Sequence, residues 1–87
     1  MEKKDLIQTI QSSYGRLTKS EKKVADYCLS HGEEIAELTI TELGKACGVA
    51  ASSVHRFCRS IRLQGYQELR MKFFLLYRRK RKNDWDV

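Results

Sequence analysis

Residues 39–59 read TITELGKACGVAASSVHRFCR, and this stretch contains two short helical patterns with a glycine between them. Thr39 and Glu42 have the spacing of a capping box, in which each side chain bonds the backbone amide of the other residue. A helix is therefore predicted to begin one residue after Thr39, and Gly48 is predicted to end it because glycine readily takes the left-handed conformation. A second helix is predicted from about Ala51. The stretch has the layout of a helix-turn-helix.

The second predicted helix has two chemically different faces. Four apolar residues recur at the i, i+3, i+4, i+7 spacing of a buried face, namely Val54, Phe57, Cys58 and Ile61. The residues expected to face outward have hydrogen-bonding side chains, namely Ser52, Ser53, His55, Arg56 and Arg59. An apolar back holds a helix on its scaffold, while serine and arginine at the front bind base edges or phosphates in a major groove. The pattern favours a recognition helix, and its alternative is the solvated face of an ordinary helical hairpin.

The candidate DNA contacts are ordered along the two helices. At the start of the first helix, the hydroxyls and free backbone amides of Thr39 and Thr41 are predicted to bind phosphate. The alternative role of Thr39 is to cap the helix. The start of the second helix predicts base-edge or nearby phosphate contacts, and Arg59, further along, predicts a contact to the DNA backbone. Ala51 offers only its amide, and Lys45 and Arg62 are weaker phosphate candidates. The full set is Thr39, Thr41, Lys45, Ala51, Ser52, Ser53, His55, Arg56, Arg59 and Arg62.

Basic residues are concentrated in the half of the chain that contains this pattern. The 87 residues include 17 Lys and Arg against 11 Asp and Glu, a formal net charge of +6. Residues 45–82 hold 11 of those basic residues and one acid, Glu68, whereas residues 1–44 hold six basic and eight acidic residues. This sorting favours a polyanionic partner such as DNA, with counterion release contributing to the affinity. A face that only keeps the protein in solution is the alternative.

The length allows one small domain. Proline is absent and four of the five glycines fall at or near places where the apolar period breaks, so an all-helical chain is predicted. Together with the helix-turn-helix pattern, this predicts an all-α, compact, homeodomain-like bundle of five to six helices. We expect residues 1–77 to form a helix-turn-helix DNA-binding domain and residues 78–87 to be a basic tail or the start of a linker. No apolar stretch reaches the roughly 20 residues that cross a bilayer, and the N-terminus lacks a signal-peptide core, so a cytoplasmic protein without membrane contact is expected.

Further helical segments are predicted outside residues 39–59. They cover residues 3 to about 14, 19 to about 31, 33–38 and 66 to about 81. The second of them begins with another capping box, formed by Thr18 and Glu21. In the last helix, Phe74, Leu75 and Tyr77 add apolar surface beyond the predicted core stripe. This surface is either a dimer contact, a junction with a further domain, or part of a wide core face.

The sequence shows no arrangement of residues typical of an enzyme. His31 and His55 are the only histidines, and no paired CxxC or HxxxH spacing, phosphate loop or nucleophile elbow is present. We therefore expect no enzymatic activity, metal or cofactor. The three cysteines fall on predicted apolar faces and are expected to be reduced. An RNA-binding module is less favoured because the outward face has no aromatic residue for stacking, whereas a protein-interaction module stays open.

Four segments of the chain together carry a family resemblance. They are LTKSEKKVADYCL (17–29), ITEL (40–43), VHRFCR (54–59) and GYQEL (65–69). These segments resemble the N-terminal DNA-binding domain of RpiR-type (MurR/RpiR) bacterial transcription regulators, and the resemblance covers about residues 6–74. It implies a homodimeric regulator of a sugar or amino-sugar operon that binds double-stranded DNA. It also implies a C-terminal sugar-isomerase-type (SIS) domain, absent from this chain, that senses a phosphorylated sugar.

The resemblance also bears on individual residues. It places four of them on the exposed recognition surface, namely Ser52, Ser53, His55 and Arg56. The chain departs from the family at three positions, where a serine is common at Ala50, a threonine at Ser53 and a glycine at Arg62. The Ala50 side chain cannot accept a hydrogen bond from the helix start. We therefore expect the second helix to be less stable, by about 1 kcal/mol, than it would be with a serine cap. Arg62 puts the turn after that helix in question while adding a candidate phosphate contact.

Overall fold

Six α-helices and one 3₁₀ turn form the part of the chain that the computed structural model describes, which is the backbone of residues 2–86 and the side chains of residues 6–77. They are α1 (Glu2–Ser13), the 3₁₀ turn (Tyr14–Arg16), α2 (Lys19–Ser30), α3 (Gly32–Ile35), α4 (Ile40–Cys47), α5 (Ala51–Ser60) and α6 (Tyr66–Asp86). No β-strand occurs in these residues. The predicted all-α class with five to six helices is confirmed.

Both predicted capping boxes are present. At the start of α4, the amide of Glu42 donates to Thr39 Oγ1 at 3.1 Å, and the amide of Thr39 donates to Glu42 Oε1 at 2.9 Å. Thr18 and Glu21 form the equivalent pair at the start of α2, at 3.1 and 3.2 Å. Each box supplies acceptors for two backbone amides at a helix start, where amides lack intrahelical partners. Ala50 precedes α5 without a side-chain cap, because its methyl group cannot accept a hydrogen bond.

α4 ends in a tight turn at Gly48, whose φ of 77° lies in the left-handed region. The amide of Val49 donates to the carbonyl of Gly44 at 2.8 Å, and the amide of Gly48 donates to that of Lys45 at 3.2 Å. These are the two hydrogen bonds of a Schellman motif, which satisfies the last carbonyls of a helix while the chain turns away. The predicted glycine turn is confirmed, and α5 begins at Ala51 as predicted.

α5 ends in the same motif, but an arginine takes the left-handed position. Arg62 has a φ of 70°. Its amide donates to the carbonyl of Arg59 at 3.0 Å, and the amide of Leu63 donates to that of Cys58 at 2.9 Å. A residue with a β-carbon loses about 1–2 kcal/mol in this conformation relative to the right-handed one. The turn therefore forms despite its arginine, and part of the folding free energy is lost there.

The core is built around α5. This helix packs against α2, α4 and α6, and α6 also packs against α3 and α1. The four residues predicted for the inner face of α5 are all buried, namely Val54, Phe57, Cys58 and Ile61. Other helices contribute the buried residues Leu6, Ile10, Val24, Ala25, Cys28, Ile35, Leu43, Leu69 and Phe73. The apolar face of α5 is thus covered by several helices at once, which fixes the orientation of its opposite face.

Two side chains of α6 hold it to the segment between α3 and α4. The Tyr66 hydroxyl donates to the carbonyl oxygen of Leu38 at 2.7 Å and shares its proton with that of Ile35 at 3.1 Å. Arg70 Nε donates to the carbonyl of Ala36 at 2.9 Å. Carbonyls at and after a helix end lack α-helical partners, and these bonds supply donors for three of them. Burial raises the pKa of the Tyr66 phenol, so the donor keeps its proton at neutral pH.

Tyr77 is an exception to the predicted apolar surface of the last helix. Its ring is partly buried and stacks on Phe73 with 6.2 Å between the ring centroids. A β-carbon at Gly32 would lie 2.7 Å from the Tyr77 ring, so the missing side chain of Gly32 makes room for it. Phe74 and Leu75 are exposed, so the alternative of a wide core face does not apply to these two residues. Tyr77 therefore belongs to the packing between α3 and α6 and not to the free surface.

Several helix boundaries differ from the predicted ones. α6 reaches Asp86, beyond the predicted end near residue 81, and the side chains of the basic run at residues 78–82 lie outside the described set. α3 covers only four residues and begins at Gly32, whereas the pattern predicted a helical turn over residues 33–38. Helix ends depend on local hydrogen bonds that residue propensities specify poorly. None of the described helices is both long enough and apolar enough to cross a membrane.

Replacing Gly44 by alanine tests the contact between α4 and the turn. Glycine to alanine inside a helix ordinarily stabilises a protein by about 1 kcal/mol. At Gly44 we expect the opposite sign, a loss of about 1–3 kcal/mol, because the new β-carbon would lie 2.8 Å from the Val49 carbonyl oxygen. Urea unfolding followed by far-ultraviolet circular dichroism measures the change.

Gly15→Ala is the matched control for this substitution. Nothing lies within 4 Å of a β-carbon built at Gly15, so this variant is expected to be as stable as the wild type or slightly more so. A Gly44→Ala protein at least as stable as Gly15→Ala would show that the α4 contact is not tight.

Removing the hydroxyl of Tyr66 is expected to destabilise the domain by about 1–2 kcal/mol, because the Leu38 carbonyl then loses its donor while staying partly buried. Tyr14→Phe is the control, since its hydroxyl bonds the exposed Asp26 carboxylate at 3.3 Å and should contribute little. Thermal unfolding of both variants compares the two losses. Equal losses would contradict the anchoring role of Tyr66.

Candidate nucleic-acid interface

α4 and the start of α5 approach each other closely. A β-carbon at Gly44 would lie 2.8 Å from the carbonyl oxygen of Val49 and 3.5 Å from backbone atoms of Ala50 and Ala51. A hydrogen atom in place of that β-carbon lets the turn lie directly against the α4 backbone. The position of α5 relative to α4 is therefore set by backbone contact as well as by side-chain packing.

Four polar side chains of α5 share one exposed arc, which we call the α5 arc. Successive residues of an α-helix are turned by 100°, so positions 52, 55, 56 and 59 fall within about 100° of one another. Their side chains, Ser52, His55, Arg56 and Arg59, are all exposed. The buried residues of α5 lie on the opposite side. The structure thus brings four of the predicted recognition residues together on the side of α5 that points away from the core.

Ser53 and Ala51 lie at the edges of the α5 arc. Both are half-buried, whereas the sequence pattern placed Ser53 fully on the outer face. Ser53 follows Ser52 and is turned by 100° from it, which brings it toward the neighbouring helices. Ser53 is therefore a flanking residue, and it is less accessible than the four residues of the α5 arc.

Three of the predicted residues belong to α4 or to its N-cap. Thr39, Thr41 and Lys45 are exposed. The Thr39 hydroxyl accepts the amide of Glu42, so its role as a cap is real, while its own proton remains available to a further acceptor. Lys45 lies in the last turn of α4 and Arg59 in the last turn of α5, where a positive charge also interacts favourably with the helix dipole. Arg62 is exposed just beyond α5.

A cleft of about 650 Å³ opens beside the α5 arc, between the beginnings of α4 and α6. Its lining consists of Thr39, Ile40, His55, Gln64, Gly65, Tyr66, Gln67, Glu68 and Arg70. A β-carbon at Gly65 would lie 3.5 Å from Cε1 of His55, so the imidazole rests against the connection between α5 and α6. His55 therefore lies at the boundary between the α5 arc and this cleft.

Sequence reasoning missed three polar residues of the cleft as site candidates, namely Gln64, Gln67 and Arg70. They lie in the α5–α6 connection and the first turns of α6, where no spacing relates them to α5. Their proximity to Thr39 and His55 arises only from the packing of α6 across the other helices. The one available signal was the positive charge of Arg70, which belongs to the basic half of the chain.

Burial governs the chemistry of the three cysteines. Cys28 and Cys58 are buried, Cys47 is half-buried, and all three are free thiols. Burial raises the pKa of the Cys58 thiol to about 12 and also raises the pKa of the other two. The thiols therefore stay protonated at neutral pH and pack as small apolar groups. Among the side chains described, no group of three His, Cys, Asp or Glu residues is placed to bind a metal ion.

Several known proteins that are similar in sequence are described as HTH-type transcriptional regulators. The sequence profile of the helix-turn-helix domain, rpiR family, matches residues 4–76. An uncharacterized HTH-type transcriptional regulator of Caldanaerobacter subterraneus is 40% identical over 68 residues, which are 78% of this chain and 24% of that protein. The HTH-type transcriptional regulator HexR of Pseudomonas aeruginosa is 38% identical over 69 residues, which are 79% of this chain and 24% of HexR. The chain thus spans about a quarter of the length of these relatives.

A solved structure shows the same fold. The crystal structure of the N-terminal domain of the transcriptional regulator YbbH of Bacillus subtilis is similar to this chain with a TM-score of 0.73 and 36% sequence identity. The match covers 77% of this chain and 82% of that one. The resemblance carried by the four sequence segments is confirmed, and the matched residues 4–76 include all of α4 and α5. The chain belongs to the rpiR family of helix-turn-helix domains, a domain of bacterial transcriptional regulators.

Proposed function

We propose that this chain is a sequence-specific DNA-binding domain in which α5 enters the major groove of double-stranded DNA. The observation that carries the proposal is the α5 arc, four exposed polar residues on a helix whose other face is buried in the core. A helix held in this way can insert its outer face without unpacking the domain. The sorting of positive charge into residues 45–82 supports the same partner, because DNA attracts clustered cations.

The residues of the site divide into two proposed roles. One group reads base edges or binds the nearest phosphates, since it lies toward the beginning of the recognition helix. Its members are Arg56, Ser52, His55 and the flanking Ser53. The other candidates contact the DNA backbone, which positions the protein without carrying sequence information. These are Thr39, Thr41, Lys45, the Ala51 amide, Arg59 and Arg62.

The wider role is proposed from the family resemblance. Residues 1–77 are proposed as the DNA-binding domain, and residues 78–87 as a basic tail or the beginning of a linker. In the longer proteins of this kind, we propose a cytoplasmic, homodimeric regulator of sugar or amino-sugar genes. Its effector, a phosphorylated sugar, would bind only to a C-terminal domain outside this chain. Neither catalysis nor a cofactor is part of the proposed function.

A second candidate function, a protein-interaction or dimerisation module, is favoured by one surface of α6. Met71, Phe74 and Leu75 are 59%, 46% and 48% exposed. Their i, i+3, i+4 spacing places them along one edge of the helix, where three adjacent apolar side chains contact water. This α6 edge is compatible with DNA binding, since pairing of two copies would present two recognition helices to two half-sites.

Arg56→Ala is expected to lose discrimination between duplex DNA from the region upstream of the protein's own gene and a scrambled duplex. Arginine can bond O6 and N7 of guanine together, and such a contact contributes about 1–3 kcal/mol to discrimination. Fluorescence anisotropy on both duplexes, over a series of salt concentrations, measures the effect.

Lys45→Ala is the control for this measurement. It removes one exposed cation from α4 and is expected to weaken binding to both duplexes by the same factor. If Arg56→Ala discriminated between the duplexes as well as the wild type, Arg56 would not read bases. If the affinity of the wild type did not change with salt concentration, this would argue against DNA as the partner and in favour of the protein-interaction module.

Leu75→Glu is expected to reduce any self-association of the chain, because it places a charge on the apolar α6 edge. Gln11→Glu, an exposed position on α1, makes the same change in charge on another helix and should leave self-association as it is. Sedimentation equilibrium at high protein concentration gives the molecular mass of each variant. Equal association by Leu75→Glu and the wild type would exclude the α6 edge as the dimer contact.

A further inference from the structure

The conformation of Arg62 is unusual for its residue type. Its φ of 70° is the left-handed value that glycine adopts at little cost. Gly48 holds the same place in the motif that ends α4, with a φ of 77°. The two turns therefore have the same backbone geometry but different residues at the left-handed position. Only in the turn after α5 does that residue have a β-carbon, which makes the conformation strained. Residues with strained backbone conformations are found most often at functional sites, where the side chain has a role.

The strained position lies at the end of the recognition helix. Arg62 is two residues beyond the last residue of α5, and its amide is bonded to the carbonyl of Arg59 at 3.0 Å. Both arginines are exposed. Among the described side chains, no hydrogen bond holds the Arg62 guanidinium to the protein. The strain at Arg62 is therefore not offset by a bond from its own side chain within the described fold.

The neighbouring apolar residue shows that the turn itself is useful to the fold. Leu63, which follows Arg62, is buried, and its amide bonds the carbonyl of Cys58 at 2.9 Å. A glycine at position 62 would keep this turn and remove the strain. The arginine instead adds a long, exposed cation at the end of α5, where a helix lying in the major groove comes nearest to the flanking phosphates.

We propose that Arg62 is a phosphate-binding residue whose contact with DNA is gained at the expense of fold stability. This inference rests on the proposed function. It adds that, compared with glycine, arginine at position 62 lowers the free energy of unfolding and raises the affinity for DNA. It predicts that stability and DNA affinity change in opposite directions at position 62. If Arg62 had no role, its substitution would leave the DNA affinity unchanged. If it only interacted favourably with the dipole of α5, its substitution would not raise the fold stability while lowering the affinity.

Three substitutions at this position separate strain from charge. Arg62→Gly removes both, and its melting temperature is expected to be a few degrees above that of the wild type. Its affinity for matched and scrambled duplexes should fall several-fold by the same factor, and the slope of log affinity against log salt should decrease by about 0.9, the value for one phosphate contact. Arg62→Asn, which tolerates the left-handed conformation without a charge, should lose affinity in the same way. Arg62→Lys keeps the charge and should keep most of the affinity and the slope.

Arg16→Gln is the control for a general loss of positive charge, because Arg16 is exposed in the 3₁₀ turn, outside the helix-turn-helix. Its salt slope should equal that of the wild type. The proposal is overturned if Arg62→Gly is more stable but binds DNA with unchanged affinity and slope, or if Arg62→Gly melts at a lower temperature than the wild type. A wild-type chain that fails to bind DNA at low salt refutes the proposed function itself, and this result is distinct from a change seen only in the Arg62 variants.

Discussion

The closeness of Gly44 to the carbonyl of Val49 is the constraint on which the rest of the site depends. A β-carbon at Gly44 would lie 2.8 Å from that oxygen, so the turn after α4 can lie against the helix only where the side chain is missing. The same turn is closed by the bond from the Val49 amide to the Gly44 carbonyl at 2.8 Å. These two contacts determine where α5 begins relative to α4, and the α5 arc takes its position from that start.

Burial of the inner face of α5 fixes the direction of its outer face. The inner residues of α5 lie against α2, α4 and α6, so the helix cannot rotate without exposing apolar groups to water. Its outer residues are consequently fixed in direction, although each of them is individually exposed and makes few contacts. The buried thiols of Cys28 and Cys58 take part in this packing, and their raised pKa is a consequence of it. The core thus determines the direction of the exposed side chains of the α5 arc.

Much of this fold can be predicted from short-range patterns. Both capping boxes, the glycine turn and the four buried residues of α5 follow from spacings of three or four residues, and the structure contains all of them. The outward direction of Ser52, His55, Arg56 and Arg59 follows from the same period. Local spacing is sufficient here because capping, turning and amphipathic packing are each decided within about one or two helical turns.

The remaining features depend on contacts between distant segments. Tyr77 is partly buried because it fits over Gly32, 45 positions earlier in the chain, and no periodicity within α6 indicates that partner. The cleft residues Gln64 and Gln67 line the same cavity as His55 because of how α6 packs on the other helices. Ser53 is half-buried because its 100° turn from Ser52 brings it toward the neighbouring helices, whose positions the sequence pattern does not specify. The backbone conformation of Arg62 has a different origin, since the turn needs a left-handed residue whichever side chain is present.

Titration of the ¹⁵N-labelled chain with duplex DNA, followed through the amide chemical shifts, shows whether α5 is the DNA-binding surface. If α5 binds DNA, the largest shifts fall on residues 51–62 and at the start of α4, with small shifts along the α6 edge formed by Met71, Phe74 and Leu75. Shifts confined to that edge, or none at low salt, would show that α5 is not the DNA-binding surface.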